Sequence, residues 1–344
     1  MATLVHIKKI TLIFFWIILV FSIGLGIGFF LYDTGEVGNE PKTKIINSKR
    51  ATSLKSKQIL SGSIRKTVKQ ESENYKVAQT PLLGVLRPEI KSNKLTGIPN
   101  WVNNSVHVLK RPGFAYIAIV IDDMGINKKR SDEGMDLEAP LTLSFLSYAP
   151  NLIEQTKIAS SNGHELLVHL PMEPLGDENP GPGALLVEMT LLELNRRLEL
   201  ALEKFPNFVG INNHMGSRFT SDLTLMNFLL SQLKDKGYLF LDSVTTSNSV
   251  ALKVGEALGT AVVARDVFLD DIDDEQEVRL RLAQAELIAK ETGTAIAIGH
   301  PRKATLRVLR EWMLNLEEKK IQLVPLSALA QIRLAQPNRE RIKK

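Results

Sequence analysis

Two adjacent carboxylates, Asp122 and Asp123, stand directly behind an unbroken aliphatic run in IAIVIDDMG, residues 117–125. A strand buried on both faces has no ordinary reason to run into a doubled negative charge. Three of the six histidines occupy comparable places at the ends of short apolar runs: His169 in LLVHLPMEP, His214 in GINNHMGSRFT and His300 in AIAIGHPRK. One carboxylate and two imidazoles are a common ligand set for a divalent cation such as Zn²⁺, with a position left open for water. The chain supplies Asp123, His169 and His214 for that cation, Asp122 as a base and His300 as an acid for a leaving group. Neighbouring side chains on a strand diverge, so adjacent Asp residues can hold different roles. Glu173, Asn213, Arg218 and Asp242 fall near the same strand ends and are the candidate substrate-binding residues.

Each signal has a blander explanation alone. A histidine at a strand end is more often a hydrogen-bonded structural residue, and an Asp pair can cap the following helix. The coincidence of three such histidines with the pair is what favours a site. DVFLDDIDDEQE, residues 266–277, is rich in acids but lacks the EF-hand spacing, and reads as an exposed loop and helix start.

The elements that must position these residues alternate. Short apolar runs at 115–121, 141–146, 165–170, 209–212, 238–242, 261–264, 295–299 and 321–326 are predicted strands. Helical stretches at 150–162, 190–204, 221–236, 247–258, 275–291 and 303–318 lie between most of them. Thr190 with Glu193, and Ser221 with Asp222, mark helix starts, and Gly237 a stop. Strand and helix alternating over some 220 residues make an α/β domain with a parallel sheet, whose strands converge at their C-terminal ends. After the first strand, DDMGINKK has neither GxGxxG nor GKS/T, which excludes the usual nucleotide folds and favours a barrel.

Before this domain the chain has a different character. Residues 10–32, ITLIFFWIILVFSIGLGIGFFLY, carry no charge and are long enough for a membrane-spanning helix. Lys8 and Lys9 before the span, and Asp33 and Glu36 after it, predict a cytoplasmic segment at 1–9 and an extracytoplasmic remainder. Residues 33–112 are polar, with basic residues exceeding acidic ones by nine, and read as a basic, low-order linker. The domain is expected at 113–334 and a basic tail at 335–344. With a total of +5, the chain from Phe114 onward carries −6. The basic character therefore suits a tether near anionic lipid or wall polymer and excludes a nucleic-acid partner. No cysteine is present, so disulfides and thiolate metal sites are excluded.

These motifs resemble, in order, those of the divergent polysaccharide deacetylases, a branch of the NodB-like carbohydrate esterase superfamily. IAIVIDDMG resembles the motif whose paired Asp are base and metal ligand, implying Asp122 and Asp123 respectively. GHELLVHLPMEP implies His169 as a ligand; GINNHMGSRFT, with His214, is typical of the divergent branch; and AIAIGHPR implies His300 as the general acid. The superfamily's second histidine, a turn after the first, is absent at LPMEP, and His214 stands in for it; the Arg-x-Pro motif is absent too. The resemblance implies a distorted (β/α) barrel of about seven parallel strands and a Zn²⁺-like ion. It also implies a hydrolase of carbon–nitrogen bonds other than peptide bonds, acting on an N-acetylated polysaccharide such as peptidoglycan. The expected location is the bacterial inner membrane, single-pass, with the domain in the periplasm. The alternative is a glycan-binding envelope scaffold that keeps the metal and partners a cell-wall hydrolase.

Overall fold

A computed structural model describes residues 97–335. The predicted membrane segment, most of the linker and the tail after residue 335 lie outside them. Among the described residues no helix is long and apolar enough to cross a membrane.

Among the described residues nine strands form one parallel sheet: β1 (Ala115–Met124), β2 (Thr142–Leu146), β3 (Glu165–Met172), β4 (Gly210–Met215), β5 (Leu239–Asp242), β6 (Val262–Ala264), β7 (Val267–Phe268), β8 (Thr294–Gly299) and β9 (Ile321–Leu323). Their order is β6-β5-β4-β3-β2-β1-β8-β7, with β9 beside the start of β1. The sheet curls into a half-barrel. Its hydrogen-bonded path ends at β6 and β7, which are joined only through Arg265 and Asp266. The expected barrel of about seven strands is thus a curled, open-edged sheet of nine. Eight of the nine correspond to the predicted runs; the addition is β7, two residues long, in the acidic stretch that the sequence presents as a loop.

The helices are α1 (Asn100–Asn103), α2 (Lys128–Met135), α3 (Leu152–Ser161), α4 (Leu191–Leu202), α5 (Leu223–Lys236), α6 (Ala251–Leu258), α7 (Glu275–Thr292), α8 (Lys303–Met313) and α9 (Leu326–Ala335). The expected caps form: Thr190 Oγ1 accepts from Glu193 N, and Asp222 from Thr224 N and Leu225 N, while Gly237 ends α5 in the left-handed conformation.

Because helices cover the outer face and the curl encloses the inner one, β1 must be apolar on both. Ile117, Ile119 and Ile121 join the larger core under the helices, whereas Ala118 and Val120 join Leu167, Leu241, Val263 and Ile298 in a smaller core that also takes in Leu326, Leu329 and Ala330 of α9. Residues 97–112, assigned to the linker by composition, pack here as well. Trp101 lies against the smaller core, its N–H donates to Gly237 O at 2.8 Å, and Asn104 Nδ2 donates to Phe208 O at 2.8 Å. Each of those contacts is long-range, so composition gave no sign of them.

Candidate metal centre

The rim at the C-terminal ends of the strands gathers the predicted residues. β1 runs through both aspartates, with a register break between Ile121 and Met124. At that break Asp123 has φ +54°, an uncommon left-handed conformation for a side-chain-bearing residue, and Gly125 has φ +101°. The break turns Asp123 aside while Asp122 stays 3% exposed. β3 supplies His169, β4 His214 and β8, just past its end, His300.

Three donor atoms converge. Asp123 Oδ1 lies 3.2 Å from His169 Nε2 and 2.9 Å from His214 Nδ1, and the two ring nitrogens are 3.2 Å apart. Despite this closeness, Asp123 Oδ1 is buried and has no well-aligned hydrogen-bond partner among the described residues. Three acceptor atoms packed so tightly repel unless a cation or proton stands among them. A divalent ion with N and O ligands at about 2.0–2.2 Å puts neighbouring ligands roughly 3.0–3.5 Å apart, close to the observed triangle. The residues present therefore fit a metal ion, with Asp123, His169 and His214 as its ligands.

Asn212 makes that arrangement unambiguous for His169. Its Nδ2 donates to Asp122 Oδ1 and Oδ2 at 2.8 and 3.0 Å, and to Ser243 Oγ at 3.1 Å. Its Oδ1 therefore faces His169 Nδ1, at 2.8 Å, and also accepts from Ser144 Oγ at 2.5 Å. His169 must carry its proton on Nδ1, which leaves the Nε2 lone pair for the cation. Burial pulls His169 down, but Asp122 and Asp123 outweigh it and hold the imidazole up at about 9, so an ion held there would displace a proton. Asp123 shows the reverse balance: burial favours its protonation, and the two imidazoles bring it below the usual carboxylate range.

The other two catalytic candidates lie beside the triangle. Asp122 is pushed up by burial, an effect partly offset by His169, His300 and Asn212. Its Oδ2 is 3.8 Å from His169 Nε2. His300 Nε2 is 3.7 Å from Asp123 Oδ2, and Nδ1 is 2.9 Å from Asp270 Oδ1. Burial lowers His300, but the hydrogen bond and charge of Asp270, with Asp123 and Asp122 beyond, raise it overall.

Asp270 and Asn212 were not among the sequence candidates. Asp270 is fully buried within DVFLDDIDDEQE, where its Oδ2 accepts from His300 N at 2.7 Å and Thr305 Oγ1 at 2.6 Å. The available signal was the apolar VFL immediately before it, which β7 uses to carry it inward. The rest of that stretch matches its reading as loop and helix start, with Asp274 capping α7. For Asn212 the signal was strand alternation: β4 places residue 212 on the same face as His214, whereas Asn213 points elsewhere.

The four substrate-binding candidates are placed differently from one another. Asn213 spends its amide on Met215 O at 2.7 Å and Ser243 N at 2.9 Å, bracing a loop. Asp242 is 3% exposed, accepting from Val244 N and Ser249 Oγ. Glu173 accepts from Val187 N at 2.6 Å and pairs with the exposed Arg218 at 2.9 Å, so this couple braces the long loop beside the rim. Only Arg218 among the four is exposed.

Residues 119–330 match the family model described as divergent polysaccharide deacetylase. The chain is 38% identical over 213 residues to the uncharacterized protein YibQ of Escherichia coli (strain K12), a match spanning 62% of this chain and 66% of YibQ. It is 36% identical over 213 residues to an uncharacterized protein of Haemophilus influenzae, spanning 62% of this chain and 76% of that one. The crystal structure of the uncharacterized protein ATU2773 from Agrobacterium tumefaciens C58 is similar in fold, with a TM-score of 0.66 at 26% identity, covering 68% of this chain and 96% of that one.

Proposed function

The chain belongs to the divergent polysaccharide deacetylase family, and from that premise we propose a metal-dependent hydrolase that removes N-acetyl groups from a cell-envelope polysaccharide. The observation that carries this is the Asp123, His169 and His214 triangle, with a base candidate on one side and an acid candidate on the other. Zinc suits the nitrogen-rich, three-residue ligand set. Such an ion, when bound, supplies Lewis acidity and lowers the pKa of water toward about 7.

The chain's own groups divide the proton transfers. Asp122, held by Asn212 and raised by burial, accepts the proton of the attacking water. His300 keeps its proton through Asp270 and delivers it from Nε2 to the departing amine of the sugar. Burial of Asp122, Asn212 and His169 at 3% exposure or less excludes bulk water from the base side of the site. Residues 10–32 as an inner-membrane anchor, with a periplasmic domain facing peptidoglycan, complete the reading.

The test is acetate release from N-acetylglucosamine polymers by the full-length protein with Zn²⁺, Co²⁺ or Mn²⁺. Activity is expected to fall roughly 10²–10⁴-fold in Asp122→Asn, the usual range for a general base. Absence of release with every ion, and no difference between wild type and the variant, would sink the reading in favour of a glycan-binding scaffold.

A further inference from the structure

The open seam of the sheet divides the groups that orient the two proton carriers. Asn212 of β4, which holds Asp122, and Ser243, which follows β5, belong to the edge that ends at β6. Asp270 and Phe268, which hold and flank His300, belong to the edge that ends at β7. β6 and β7 share no ladder among the described residues, so side chains must fix one edge against the other.

Arg265, half-buried between β6 and β7, reaches both edges. Toward the base, its Nε donates to Ser243 O at 2.7 Å and its Nη2 to Val244 O at 2.9 Å. Ser243 Oγ in turn accepts from Asn212 Nδ2 at 3.1 Å, and that same amide nitrogen holds both oxygens of Asp122. Toward the acid, the guanidinium lies over Phe268, 5.0 Å from the ring centroid, and that ring meets His300 edge-on at 5.4 Å. Burial pulls Arg265 below its usual range, and the charges of Asp242 and then Asp122 offset this most.

The turn that Arg265 grips is strained. Val244 has φ +50°, an uncommon conformation for a β-branched residue, and its own N–H donates to Asp242 Oδ1 at 2.9 Å while Arg265 takes its carbonyl. Strain of this kind gathers at functional sites. The seam is also stitched away from the rim, where Arg333 of α9 donates to Ala264 O and to Thr294 Oγ1, both at 3.2 Å, and pairs with Asp266. Closing the sheet therefore does not fall to Arg265 alone, and what Arg265 adds lies at the catalytic rim. Resting on the deacetylase reading, we propose that Arg265 is a positioning residue that holds the Asp122 carboxylate and the His300 ring in register across the open seam. It acts through Ser243 and Asn212 on one side and through Phe268 on the other. Lysine cannot replace it, because a single ammonium lacks the planar fork that meets two carbonyls and a ring face together.

The test follows two ring protons by NMR in the full-length protein: the Nδ1–H of His169, facing Asn212, and that of His300, facing Asp270. Their exchange with water reports the two sides of the brace without any turnover. In Arg265→Lys both should exchange about tenfold faster, as one weakened hydrogen bond allows. The kcat for acetate release should fall about 10–100-fold with KM and zinc affinity unchanged. Phe268→Leu, which cuts the acid side alone, should speed exchange at His300 and leave His169 as it was. Arg333→Gln should lower the melting temperature and leave both protons unchanged. Unchanged exchange at either proton in Arg265→Lys, or at His300 in Phe268→Leu, overturns the brace, and so does equal acceleration in Arg333→Gln. The expected exchange pattern with no acetate release from wild type supports the brace and defeats the hydrolase reading. Undiminished release from Arg265→Lys with both protons unchanged does the opposite.

Discussion

At the scale of the residue, Asn212 and Asp270 decide what their more conspicuous neighbours can do. Asn212 fixes the His169 tautomer and occupies both oxygens of Asp122, so Asn212→Ala should weaken metal binding by about 10–100-fold, as losses behind a ligand usually do. Competition with a chromogenic chelator measures it, and unchanged affinity would contradict the ligand set. Asp270 raises the His300 pKa, so Asp270→Asn should lower it and move the alkaline limb of the rate profile to lower pH. A profile that keeps its alkaline limb would mean that His300 is not the acid. Sequence made the Asp pair and the histidines visible because each follows an apolar run. The two partners were hidden, since a buried Asn on a strand and one Asp among many acids carry no local mark.

At the scale of the element, the end of β1 matters most. Gly125 is needed there for two reasons: its φ of +101°, and an added Cβ that would stand 2.6 Å from Ala149 Cβ. Gly125→Ala should therefore displace Asp123 and cost metal affinity, with a loss of folding stability of at least about 1 kcal/mol. Thermal unfolding with and without Zn²⁺ separates the two effects, and an unchanged zinc-induced rise in melting temperature would refute the first. Most strands and six of the helices, α3 to α8, were legible, because apolar period and caps are local. α2 escaped because KKRSDEGM buries only Ser131, Gly134 and Met135. α9 escaped because it is buried almost throughout its first half and shows no polar face there.

At the scale of the whole molecule, one buried carboxylate ties distant segments together. Glu165, at the start of β3, accepts from Ser327 N of α9, Thr142 Oγ1 of β2 and Val106 N of the amino-terminal segment. Burial pushes it up to about 7 from 4.5, against the pull of those hydrogen bonds. The folded state therefore holds a proton that the unfolded state has already released between these values. Its stabilising contribution is complete below about pH 4.5 and lost as pH rises through 7, a change on the order of 3 kcal/mol. Denaturant unfolding at pH 5 and pH 8 should show the drop, and Glu165→Gln should flatten it. An identical slope in the variant would remove Glu165 as the cause.

The sequence by itself determined the alternating α/β plan, the parallel sheet and the aspartates and histidines that meet at its rim, since periodicity and strand ends are written locally. Only the tertiary structure decided that the sheet stays open between β6 and β7, that residues 97–112 belong to the folded body, and that Asn212 and Asp270 complete the site. Those outcomes depend on contacts between residues tens to hundreds of positions apart, which no local pattern encodes.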